Sequence, residues 1–270
     1  MYKKPFAIPF IAWILIGTIV PGIVIAFYGF TDRSGAFTVE NVTSILAPEH
    51  AKALWMSLLL AFISSIICLV ISLPLALILR NSKLSSKGFL VFIFILPMWM
   101  NFLLRTMAWQ VLLERGGLIN NFFENIGMPG LQFINTPVAV ILGMVYDYLP
   151  FMILPIYNSM IKIENAVIEA AYDLGATKAK VFKDVILPLS VPGIASGITM
   201  VFVPALTTFA ISNMLGGGKI YLIGNIIEQE FTTTSNWNLG SGLSLVMMVF
   251  ILITMELMSR LDKDGDGALI

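Results

Sequence analysis

Asp147 stands in an otherwise uncharged run, Pro137–Met160, and an ionisable group in such a run costs about 2.5–3.5 kcal/mol on insertion scales, which invites a functional explanation. It lies ten residues from Pro137, about 15 Å along a helix that rises about 1.5 Å per residue. Trp99 lies ten residues into the apolar run that starts at Phe89, so the same count brings it to the same depth from the other side. A carboxylate and an indole face at one level can replace the water around an alkylammonium by charge pairing and cation–π contact. The candidate path residues are therefore Asp147 and Trp99, with Tyr146 or Tyr148 beside them. A competing role for Asp147 is to hold helices together by pairing with Arg105 or with a residue of a second subunit. A uniform rise sets Arg105 about 9 Å shallower, a gap that its long side chain can partly close.

Other patterns carry less chemistry. Gly216-Gly217-Gly218-Lys219 suggests a phosphate loop, but no Gly stands five positions before Gly218, and Ile220 occupies the Ser/Thr position. Asp262-Lys263-Asp264-Gly265-Asp266-Gly267 opens like a calcium loop and lacks the bidentate Glu at position twelve, so a solvated tail is expected. The one histidine, His50, has no visible metal or triad partner, and the one cysteine, Cys68, lies in an apolar run without an intrachain partner. No metal, no catalytic group and no cofactor is expected in this chain.

The elements that must position these residues follow from composition. Of 270 residues 58% are hydrophobic and 12% charged, where soluble domains have about 25% charged, which excludes an ordinary soluble domain. The balance of 16 basic against 16 acidic residues argues against nucleic-acid binding through overall charge. A bilayer core about 30 Å thick needs about 20 apolar residues per helical crossing, and six runs qualify, at 6–28, 54–79, 89–113, 137–160, 189–218 and 239–258. The first is expected to be a retained span rather than a signal segment, because it exceeds the about 7–15 apolar residues of such segments and no small-residue cleavage pattern follows. Pro74 is expected to kink the second span, and the fifth, with Pro192, Gly193, Gly197 and Pro204, is expected to be bent or unwound at its ends. Gly193 and Gly197 predict a close helix contact.

Basic residues are retained on the cytoplasmic side. Eleven Lys and Arg fall on the side of both termini (Lys3, Lys4, Arg80, Lys83, Lys87, Lys162, Lys178, Lys180, Lys183, Arg260 and Lys263) and five on the other (Arg33, Lys52, Arg105, Arg115 and Lys219), which places both termini inside. Two outside segments, Leu118–Gly127 and Ile220–Phe231, are too short to span. Their apolar residues predict short interfacial helices, which either pack at the interface or help close an external gate.

The inside connection, 161–188, predicts two short helices. In Glu164–Leu174 the residues Val167, Ala170, Ala171 and Leu174 form one stripe, and Gly175 follows where a left-handed cap residue belongs. Thr177 can cap a second helix with Val181, Phe182, Val185 and Ile186 on its apolar face and Lys178 and Lys183 in water, and Pro188 is expected to end it. A compact helical pair with a charged rim suits docking to another protein.

Glu169-Ala170-Ala171, Gly175 and Val185-Ile186-Leu187-Pro188 together resemble the EAA loop of binding-protein-dependent ABC importer permeases, with Val185 where that pattern has Ile. Leu96-Pro97-Met98-Trp99-Met100-Asn101, Leu149-Pro150-Phe151-Met152 and Tyr221-Leu222-Ile223-Gly224-Asn225 resemble the spermidine/putrescine permeases within that family, over about residues 10–260. The resemblance implies an all-α, six-span type I importer permease (MetI-like) fold in a bacterial inner membrane. It implies a polyamine substrate brought by a periplasmic binding protein, a second permease subunit, and two cytoplasmic ATPase subunits that bind the ATP and Mg. It also implies that Glu169, Ala170, Ala171, Gly175, Leu187 and Pro188 form the ATPase-coupling loop.

Overall fold

The computed structural model describes residues 12–81, 94 and 96–267, with side chains up to Arg260. Lys3, Lys4, Lys83, Lys87, the first residues of the expected first and third spans and the side chains of the acidic tail lie outside the described residues. Helix is the only extended secondary structure there, with one isolated bridge between Thr31 and Phe37.

The first apolar helix, α1 (Ala12–Gly29), widens to a π-helical pitch over Leu15–Ile19 just before Pro21, whose missing N–H takes one bond out of the ladder. A hairpin-like turn held by Asp32, which accepts bonds from Ser34 and Ala36, leads to the short α2 (Glu40–Thr43). The long α3 (Pro48–Asn81) stays a single helix through Pro74. A 3-10 turn, Leu96–Trp99, precedes α4 (Phe102–Leu113) and the amphipathic α5 (Leu118–Asn125). Next come α6 (Pro137–Lys162), α7 (Asn165–Asp173), α8 (Lys178–Leu189) and α9 (Val191–Thr207). The last elements are α10 (Ala210–Leu215), α11 (Ile223–Thr232) and α12 (Trp237–Gly267).

The core is the trio α3, α6 and α9, with α12 laid against α9 and α1 against α12. The runs of the trio show little sidedness because the face turned away from the bundle is apolar as well, with Trp55, Phe62, Ile66 and Val70 of α3 exposed within this chain, and α1 is almost wholly unburied. Two buried clusters divide the interior lengthwise. One gathers Leu60, Met144, Leu206, Ile211 and Leu222, the other Cys68, Met152, Ile156, Met160, Val181 and Ile186. Close approach of α9 to α6 depends on two glycines. A Cβ at Gly193 would lie 2.6 Å from the Pro155 carbonyl, and one at Gly197 2.8 Å from the Met152 sulfur, so the predicted small-residue contact is present and its partner is α6.

Four helices are long and apolar enough to cross a bilayer, at Ala12–Gly29, Pro48–Asn81, Pro137–Lys162 and Trp237–Arg260, and the pair α8–α9, bent by 65°, supplies at most a fifth. Six straight crossings are thus not visible among the described residues. The expected third span is broken in its described part: the 3-10 turn ends at Trp99, and Asn101 starts a new helix by accepting from the N–H groups of Leu103 (2.9 Å) and Leu104 (3.4 Å). The twelve residues of α4 are too few to cross alone. Pro188 stands one residue before the end of α8, and the chain bends at Ser190, whose hydroxyl donates to the Ile186 carbonyl at 2.7 Å. The expected sixth span lies within α12, whose backbone remains helical through Gly267, so the acidic stretch continues that helix.

Candidate functional site

Asp147 projects from α6 into the bundle and is 2% exposed. Arg105 of α4 lies opposite, 7% exposed, with Nε 3.1 Å from Oδ1 but without the alignment of a hydrogen bond. Thr106 Oγ1 donates to Asp147 Oδ2 at 3.2 Å, and Arg105 Nη1 donates to the Pro97 carbonyl at 2.8 Å. One ion pair therefore ties together α6, the start of α4 and the 3-10 turn that carries Trp99. The uniform-rise count that set Arg105 apart from Asp147 fails because the chain unwinds at Met100–Asn101, and the same break removes the basis for the equal-depth count of Trp99.

The aromatic candidates separate. The Trp99 side chain is 75% exposed. Tyr146 presents part of its ring to the surface and meets Trp109 edge to face, with centroids 5.3 Å apart. Tyr148 turns the other way, its hydroxyl donating to the Pro204 carbonyl of α9 at 3.4 Å. Tyr146 thus joins Trp109 on an open face, Asp147 joins Arg105 and Thr106 inside, and Tyr148 joins α9. A cavity of about 620 Å³ lies between α6 and α9, with Met98, Phe151, Asn158, Lys162, Ser196 and Met200 in its wall.

At the other end of the trio, the 161–188 segment forms the helix pair expected from sequence. Gly175 has φ +81°, its N–H donates to the Tyr172 carbonyl at 2.8 Å, and the Ala176 N–H donates to the Ala171 carbonyl at 3.0 Å, which together close α7 in a Schellman turn. Thr177 Oγ1 accepts from the Lys180 N–H and starts α8. Val181 and Ile186 are buried against the trio, with Phe182 and Val185 packed beside them. On α7 the apolar stripe splits. Ile168 and Ala171 turn toward the core, whereas Val167 is 44% and Leu174 89% exposed, and Glu169, Ala170 and Gly175 lie open with them. Arg80, at the end of α3, fixes the base of the pair through bonds to the carbonyls of Met160 (2.8 Å) and Ile163 (2.9 Å) and to the Asn165 side chain (3.2 Å).

Sequence reasoning missed a third constellation. The chain unwinds between α9 and α10 at Thr208–Phe209, and Asn225 of α11 binds that break, its amide donating to the Phe209 carbonyl (3.0 Å) and to Asn213 (2.7 Å) while its oxygen accepts from Ser212 and from the Leu222 N–H. Gly224 lies so close that a Cβ would stand 2.6 Å from the Thr207 carbonyl. Asn225 stands among apolar residues in the sequence, and an amide in such a place is the signal that could have marked it. Among the described residues no cluster of His, Cys, Asp and Glu could hold a metal ion.

Residues 70–264 match the family described as "Binding-protein-dependent transport system inner membrane component". The chain is 35% identical over 260 residues to the spermidine/putrescine transport system permease protein PotB of Haemophilus influenzae, covering 93% of this chain and 91% of that one. It is 34% identical over 247 residues to PotB of Escherichia coli K12, covering 88% and 90%. Among solved structures, a chain of the bacterial alginate ABC transporter in complex with an alginate pentasaccharide-bound periplasmic protein superposes with a TM-score of 0.80 at 17% identity, covering 97% of this chain and 93% of that one. A chain of the inward-facing MetNI methionine ABC transporter gives 0.58 at 19% identity, covering 80% and 95%. These structures show the fold, and the fold is that of an ABC importer permease. With residues 70–264 matched by the family and 35% identity to a permease over 260 residues, this multi-pass inner-membrane chain belongs to the binding-protein-dependent transport system inner membrane components.

Proposed function

We propose that this chain is one permease subunit of an ATP-driven importer that carries polyamines, spermidine or putrescine, handed over by a periplasmic binding protein. A second permease subunit completes the path, and two cytoplasmic ATPase subunits, which bind the ATP and Mg, drive it. Both termini are cytoplasmic, in keeping with the distribution of basic residues. The observation that carries this is the open stripe of α7: Val167, Ala170 and Leu174 expose apolar surface on a rigid, capped helix pair outside the bundle. Such surface on a polar rim suits a partner groove. Glu169, Ala170 and Gly175, which lie open, form the contact, Ala171 backs it from the core side, and Leu187 and Pro188 lead its motion into α9 through the 65° bend. The identity to permeases named for spermidine and putrescine supports the substrate class.

Trp99 and Tyr146 line the path with their rings, while Asp147 and Tyr148 border it from behind. Asp147 holds α4 through Arg105, and Tyr148 holds α9. The two proposed parts are tested together in proteoliposomes that contain the assembled importer and its binding protein. Labelled spermidine enters only with ATP inside, and a cysteine at position 170 cross-links to the ATPase. Uptake without ATP, or a 170 cysteine that never captures a nucleotide-hydrolysing neighbour, overturns the importer assignment in favour of a secondary transporter. Uptake of another organic cation in preference to spermidine overturns only the substrate.

A further inference from the structure

A second cavity, of about 510 Å³, opens at the other end of α9, between the α9–α10 break, α11 and α12. Its volume falls within the about 300–1,000 Å³ typical of small-ligand sites. The wall is apolar, with Phe209, Phe231, Met247 and Ile251, and Glu228 is the one acidic side chain among the lining residues. Glu228 accepts a bond from Thr232 at 3.1 Å, and among the described residues no cation lies within ion-pair distance of it. Asp147, by contrast, already has Arg105.

The hydroxyls in the wall are committed as donors. Thr207 donates to the Val203 carbonyl at 3.1 Å and Ser244 to the Gly240 carbonyl at 2.8 Å, which leaves each oxygen free to accept. The cavity therefore offers acceptors, a carboxylate and an aromatic face, since Phe209 is 44% exposed. The chemistry that matches is a donor-only cation on an apolar chain.

We propose that this cavity binds an alkylammonium end of the transported polyamine. The ammonium pairs with Glu228 and donates to the Thr207 and Ser244 oxygens, the Phe209 ring faces the cation, and the methylenes lie against Met247 and Ile251. This site rests on the polyamine reading above and adds to it a place where the substrate is held near the outer elbow of α9.

The test is equilibrium binding of labelled spermidine to the assembled importer trapped with ATP and vanadate, beside uptake by the untrapped complex. Glu228→Gln is expected to raise the Kd by about tenfold or more, the scale of one lost charge-assisted bond. Glu230→Gln, two residues along α11 and bonded to Thr234, is expected to leave it unchanged. Ile251→Trp fills the cavity from its far wall, is expected to weaken binding likewise, and carries the test if Glu228→Gln fails to assemble. Unaltered binding in both cavity variants, or a wild-type complex that transports spermidine yet binds none when trapped, overturns this site and leaves the substrate class intact. A wild-type complex that takes up no spermidine refutes the substrate class itself.

Discussion

Replacing Asp147 by Asn isolates the physics of the buried pair. At 3.1 Å two unit charges attract by about 5 kcal/mol at an effective dielectric constant of about 20. Burial of the two ions opposes this by several kcal/mol each, so the pair as a whole adds little to stability. Removing one partner is different, because Arg105 would be left charged and 7% exposed with the Pro97 carbonyl as its hydrogen-bond acceptor, and an orphaned buried charge costs about 3–5 kcal/mol. The expected series is therefore non-additive. Asp147→Asn and Arg105→Met each destabilise by about 3–5 kcal/mol, and the double variant that carries both substitutions loses far less than the sum of the two. Thermal unfolding of the purified complex, followed by tryptophan fluorescence, gives the stabilities, and spermidine uptake by each assembled variant gives the function. Additive losses would refute the claim that the two charges compensate each other. Normal uptake by an assembled Asp147→Asn complex would remove Asp147 from the border of the path.

Four shorter tests address other parts. Gly175→Ala puts a side chain at φ +81°, where L residues lose about 1–2 kcal/mol, and is expected to lower substrate-stimulated ATP hydrolysis with assembly retained. Gly193→Val must push α9 off the Pro155 carbonyl and is expected to abolish stable assembly on native gels, whereas Gly22→Val, in open space on α1, leaves it intact. Asn225→Leu strips the Phe209 carbonyl, Asn213, Ser212 and the Leu222 N–H of a shared partner at about 1–3 kcal/mol for each group left unsatisfied, so faster hydrogen exchange across 208–225 is expected. The Ser34 hydroxyl first, with the backbone of Ala36, holds the Asp32 carboxyl below its ordinary value. The contribution of that loop is present above about pH 3.9 and lost as the pH falls through the lowered value, and carboxyl titration by NMR should place the midpoint there.

The polytopic class, the approximate places of the apolar helices, the amphipathic α5 and α11 and the helix pair of 161–188 were legible because each depends on neighbours within a few residues. Helical periodicity marked α5, α7 and α8, and the turn between the last two needed a residue tolerant of positive φ, which Gly175 supplies. Asp147 was also conspicuous, since a carboxylate in an apolar run is visible without any fold. Its partner was legible only as one of two alternatives, Arg105 or a residue of a second subunit. Arg105 meets it only because Pro97 and Asn101 interrupt a helix that an even rise would carry straight on, and where such a break redirects the chain depends on what packs against it.

The sequence by itself therefore determined that this chain lives in a membrane, which segments are apolar and which turn joins the two short helices of 161–188, because transfer from water and local backbone geometry act residue by residue. Only the tertiary structure decided which charges cancel, which aromatic rings stay open and which carboxylate is left facing a cavity. Asp147 and Glu228 are the same chemical group in the sequence, and what separates them is a guanidinium delivered from another helix, a distance that no local rule contains.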